Sequence, residues 1–244
     1  MRSGFRSEWR EAMSIERRKL RATRADLEIL IERSRQYSAR PEFSFFLAET
    51  AVDVLVRQAN PEGNVSEADA AWLVARLSAG GGLCCAAQFD MLKRVFAEAV
   101  SMPTVLTAFA IREVELAILT GRREILGGAS REPAVVTHGD VEALRALIFA
   151  PARRAPPRVD RVIAEALVDI AHATGAAQND AEFSDLFALV LGNYLKVCEN
   201  AGWLFAHLTR SGPMTPAEAS LLTLLKVEAA SGRAELRALF AQAA

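Results

Sequence analysis

The strongest constraint on this chain is a helix start that recurs three times: an apolar residue, a Ser or Thr, and an acid three positions further on. The copies are Val65-Ser66-Glu67-Ala68-Asp69, Val136-Thr137-His138-Gly139-Asp140 and Met214-Thr215-Pro216-Ala217-Glu218. A hydroxyl at the N-cap satisfies a free backbone N–H of the first turn, and an acid at N3 reaches back to the N-cap N–H. Pro216 falls at the first helical position, where a missing N–H is harmless. Each copy opens an Ala/Leu-rich stretch, so the pattern predicts an all-α chain.

Composition agrees with that class. Of 244 residues, 51% are hydrophobic and 24% charged, enough apolar matter for a sizeable core. No apolar run approaches the roughly 18 residues of a membrane span. Arg2, Arg6 and Arg10 lead into further charge, not into the apolar stretch of a signal peptide, so the expected location is cytoplasmic. Cys84, Cys85 and Cys198 fit neither a disulfide framework nor metal-ligand spacing and read as helical thiols.

Charge is uneven. Residues 1–40 hold eleven Lys/Arg and six Asp/Glu, with Arg17, Arg18, Lys19, Arg21 and Arg24 the densest group. This segment reads either as a solvated or partner-docking helix, or as a contact for nucleic acid or an anionic membrane.

Breakers divide the rest. A charged helix over 1–38 ends at Pro41, with Leu20, Leu27, Leu30 and Ile31 as its apolar stripe. Helices are expected near 42–58, 66–78, 85–101, 104–120, 138–150, 160–175, 180–199, 201–210, 216–230 and 233–242. Glycines and Pro133 mark 121–135 as a boundary, and 150–158 is a Pro/Arg connector. The organisation is then a charged helix over 1–40, one unit over 41–125 and a second over 132–244.

The two units match each other. Glu42-Phe43-Ser44 recurs as Glu182-Phe183-Ser184, Trp72-Leu73 as Trp203-Leu204, and Glu98-Ala99 as Glu228-Ala229. The expected fold is therefore a duplicated helical bundle of about ten helices.

The stretches GNVSEADAAWLVARL, AVVTHGDVEALRALIF, VIAEALVDIAHATGAAQNDAEFSDLFALVLGNYL and WLFAHLTRSGPMTPAEASLLTLLKVEA resemble an uncharacterised family of bacterial all-helical proteins. These are similar in turn to the TerB-like modules associated with tellurite resistance and stress. The resemblance covers about 42–244 and implies TerB-like helix pairs, with a role in stress and in metal or small-ligand binding. Relatives often carry Asp-Gly in the turns; here those positions are Gly80-Gly81 and Ser211-Gly212.

Calcium loops are not expected. With Gly212 as the loop glycine, the first, third and fifth positions are His207, Thr209 and Ser211, without a carboxylate. The candidate metal ligands are instead Glu165, Asp169 and His172, whose spacings of four and three put them on one helix face. The same three residues also suit a solvated polar face. No phosphate loop, dinucleotide fingerprint, nucleophile elbow or H-E-x-x-H occurs. Cys84 near a helix start reads either as an activated thiol or as an inert buried one.

The expectation is a non-enzymatic helical interaction module that binds a protein partner or itself and needs no cofactor. The alternative is a metal- or small-ligand-binding stress module using an acidic pocket at Glu165, Asp169 and His172.

Overall fold

Helix starts and stops are where local chemistry is most explicit, and the computed structural model follows them closely. It describes residues 21–129, 132–150, 159–197, 202–208 and 214–230. Among these, ten α-helices and no strand occur. They are α1 (Arg24–Tyr37), α2 (Pro41–Val52), α3 (Glu67–Ser78), α4 (Ala86–Glu98), α5 (Thr104–Thr120), α6 (His138–Phe149), α7 (Arg161–Ala173), α8 (Ala181–Val197), α9 (Gly202–Leu208) and α10 (Pro216–Ala230). A π-turn, Asp53–Arg57, extends α2, and a 3-10 turn, Arg123–Leu126, follows α5. The bundle is all-α, as the recurring caps predict.

The acid reaches the N-cap N–H in the second and third copies, while in the first Asp69 accepts from the Ser66 hydroxyl instead. Thr137 N donates to Asp140 Oδ2 at 2.8 Å, and Thr215 N to Glu218 Oε2 at 2.7 Å. Asp69 N donates to Ser66 Oγ at 3.0 Å. Gly121, with φ of 72°, closes α5 in the left-handed conformation that glycine adopts without strain.

The N-terminal segment corrects the sequence reading. A single helix over 1–38 is not formed, because α1 begins at Arg24. A fourth capping box made by Thr23 and Asp26 starts it, with Thr23 N donating to Asp26 Oδ2 at 2.8 Å. Nor is α1 a detached charged helix. Leu27, Leu30 and Ile31 are buried in the common core, and Glu28 pairs with Arg76 of α3 at 2.8 Å. Removing the Leu27 side chain is expected to cost about 2–5 kcal/mol. Leu20, the basic run Arg17-Arg18-Lys19, the 151–158 part of the connector, Cys198 and the 233–242 helix lie outside the described residues.

Tertiary structure extends the internal match back by one helix. At a separation of 140 residues, Leu27 and Leu167, Ser34 and Thr174, Phe43 and Phe183, and Leu47 and Phe187 are all buried. At 130, the buried pairs are Ala87 with Ala217, Gln88 with Glu218, Met91 with Leu221 and Val95 with Leu225. Thus α1 to α4 correspond to α7 to α10. The most extensive helix packings, α2 on α4 and α8 on α10, are equivalent under this match. Arg24 lies over Trp72 at 5.6 Å and Arg161 over Trp203 at 5.3 Å, so each half covers its matched tryptophan with an arginine, the second from a position three residues earlier in the match.

The segment 121–135, where composition places a boundary, is tied into this core. Ala134 N donates to Ile118 O at 3.0 Å, and α5 packs on both α6 and α7. The buried apolar residues of both halves belong to one continuous cluster.

Candidate functional site

The helix starts bring more than caps together. Each of the three cap acids also meets a basic side chain from another element. Arg24 reaches Asp69, Arg123 reaches Asp140, and His172 Nε2 lies 3.6 Å from Glu218 Oε1. The middle pair is the most enclosed. Arg123 Nε donates to both Asp140 oxygens at 2.9 and 2.8 Å, with the two side chains 4% and 1% exposed. The guanidinium also donates to the backbone oxygens of Glu132 and Val135, so its donors are directed inward.

Glu165, Asp169 and His172 lie on the outer side of α7, as their spacing requires, but their ligand atoms do not converge. Glu165 accepts from Arg161 Nε at 2.7 Å and is 43% exposed; Asp169 is exposed, and His172 faces Glu218. Their common face is thus shared out among Arg161, solvent and α10.

A different trio does converge. His138 at the start of α6 meets Asp180 and Glu182 at the start of α8, with Nδ1 at 4.0 Å from Asp180 Oδ2 and 3.8 Å from Glu182 Oε1. The ligand atoms of all three fall within 4.8 Å of one another, the one such group among the described residues. In the sequence His138 belongs to one helix start and Asp180 and Glu182 to another, 42 or more residues apart. The missed signal is that two capped starts can share one edge.

Two open clefts occur among the described residues, the second of them beside these features. One, of about 470 Å³, lies along α2 and α4 and is lined by Pro41, Phe45, Ala48, Glu49, Asp90 and Arg94. The other, of about 420 Å³, runs beside the Arg123–Asp140 pair and includes Leu126, Gly128, Thr137, His138 and Gly139.

The surroundings of Cys84 do not favour its thiolate. Cys85, not Cys84, is the N-cap of α4, and its side chain makes no cap bond. Burial pushes the Cys84 thiol up, with Cys85 adding to the rise and Ser34 and Arg35 opposing it. Glu113, beneath the Gly80-Gly81-Gly82 loop, is also raised by burial, opposed by the Leu83 N–H that donates to Oε2 at 2.9 Å and by Arg122.

Among the described residues no helix is long and apolar enough to cross a membrane. Comparison with protein-family models, curated proteins and solved structures finds no match to this chain.

Proposed function

We propose that this protein is a non-enzymatic helical interaction module of the cytoplasm, binding a protein partner or a second copy of itself. The observation that carries this reading is a difference between the two halves. In the first half, Glu49 and Arg94 close the outer edge of the α2–α4 pair through a 3.2 Å ion pair. Their counterparts in the second half are Leu189 and Leu224, and Val227 follows one turn after Leu224. Leu189 is 49% and Val227 65% exposed. Gly192, one turn beyond Leu189, lies directly against Leu224, which puts these side chains along one edge of the α8–α10 pair. At these two positions an ion pair in one repeat is replaced by leucines in the other, while Phe45, 68% exposed beside Glu49, has Asp185 as its counterpart; each edge thus exposes its own apolar side chains, the pattern of a surface available for contact. The resemblance to TerB-like modules supports a stress-related setting for it.

Sedimentation velocity over a hundredfold range of protein concentration tests self-association. A dimer that Leu189→Glu with Val227→Glu converts to monomer supports the reading. A wild-type chain that stays monomeric throughout, and whose Lys226 gives no cross-link to added bacterial extract beyond that of the double variant, overturns it.

A further inference from the structure

His138 is the first residue of α6, where the positive end of the helix dipole favours the neutral imidazole over the imidazolium. Asp180 and Glu182 at the start of α8 have a sufficient structural reason to be there; His138 has none from its own helix. Two hydrogen bonds clamp the helix starts together: Asp180 N to Val136 O at 2.9 Å, and Val136 N to Asn179 Oδ1 at 2.8 Å. The trio therefore sits on rigid elements.

The outer oxygens of both carboxylates are already committed. Glu182 Oε2 accepts from Arg145 Nη1 at 2.6 Å, and Asp180 Oδ1 accepts from Glu182 N at 3.0 Å. The remaining oxygens, Oε1 and Oδ2, are the ones that face His138 Nδ1. When the imidazole is neutral with its proton on Nε2, three lone-pair donors converge there with no N–H or O–H between them. The charges linked to this site are Asp180, Glu182 and Glu142 against the guanidinium of Arg145, a negative balance among the described residues.

We propose that His138, Asp180 and Glu182 bind a divalent transition-metal ion of the zinc class through Nδ1, Oδ2 and Oε1. An imidazole nitrogen beside two carboxylate oxygens suits such an ion better than calcium or magnesium, which take oxygen sets. Bonds of about 2.0–2.2 Å place neighbouring ligand atoms about 3.3–3.6 Å apart, so the 3.8 and 4.0 Å separations from His138 close by about half an ångström on binding, and the carboxylate oxygens, within 4.8 Å of each other, draw together as well. His138, 63% exposed, has the freedom to make that movement. Arg145 and the Glu182 N–H orient the two carboxylates, and water from the adjoining cleft completes the coordination.

Equilibrium dialysis of the full chain against Zn²⁺, with metal content read by elemental analysis, tests this. One ion per chain is expected, with His138→Ala and Glu182→Gln each weakening binding about tenfold or more. His172→Ala and His207→Ala leave it unchanged. Far-UV circular dichroism checks that each variant is folded. Cobalt(II) in place of zinc gives a visible absorption band in the wild type that His138→Ala removes. Absence of stoichiometric zinc at 100-fold excess over protein, or equal binding by folded His138→Ala, overturns the proposal.

Discussion

Arg123 and Asp140 form a two-oxygen ion pair that is almost completely enclosed, joining the turn after α5 to the first turn of α6. Asp140 thereby holds its own N-cap and neutralises a buried guanidinium. The two roles fall on one carboxylate.

Loss of Asp140 is therefore expected to be far more damaging than loss of the equivalent cap at Asp69. Asp140→Ala removes about 1 kcal/mol of capping and leaves a buried charge unpaired, about 3–5 kcal/mol more. Asp69→Ala keeps the backbone N–H that Ser66 Oγ caps and loses a hydrogen bond from the Ser66 hydroxyl and an ion pair whose Arg24 side chain is 49% exposed, the latter worth at most about 1 kcal/mol. Urea unfolding ranks the two. A double variant with Arg123→Met and Asp140→Ala should recover part of the larger loss, and equal effects at both sites would refute the distinction.

Glu113 should make stability depend on pH in the opposite sense to a salt-bridged acid. Its folded carboxyl is raised by burial, so its contribution is fully present below the ordinary carboxylate range and is lost as pH rises through the raised value. Glu113→Gln removes that loss while its amide oxygen can still accept from Leu83 N–H. The variant is expected to match or exceed wild-type stability at neutral pH, and its advantage should shrink on acidification. Thermal melts at a series of pH values check this.

The glycine loop above Glu113 offers a paired test. Gly81 and Gly82 both have positive φ, 86° and 102°, so alanine is strained at either. Added methyl at Gly81 meets open space, whereas at Gly82 it would lie 2.5 Å from Glu113 Oε1. Gly81→Ala should cost about 1–2 kcal/mol from the backbone alone. Gly82→Ala should cost more, and Gly82→Ala combined with Glu113→Ala should recover the difference in chemical denaturation.

Cys84 should behave as a sluggish thiol. Its raised pKa lowers the thiolate fraction, the reactive form, at neutral pH. Alkylation by iodoacetamide at pH 8 is expected to be slower in the folded chain than in urea, the gap narrowing as pH climbs beyond 9. Peptide mapping by mass spectrometry follows the site; faster labelling in the folded state would contradict the burial argument.

The amino-acid sequence by itself determined where helices begin. A hydroxyl and an acid three residues apart meet within one turn, so Ser66, Thr137 and Thr215 with their acids could be read without any tertiary information. Thr23 and Asp26 obey the same rule and were hidden only by the surrounding run of charge. Apolar spacing and the matched Phe43/Phe183 and Trp72/Trp203 positions likewise carried the all-α class and the internal match. Tertiary structure alone decided which cation each cap acid meets, because Arg24, Arg123 and His172 are remote in sequence from Asp69, Asp140 and Glu218. It also decided that Glu165, Asp169 and His172 share a face without converging, while His138 is carried to Asp180 and Glu182 by the clamp between α6 and α8. Local capping is a property of one turn; the second partner of a buried or clustered acid is a property of how helices pack.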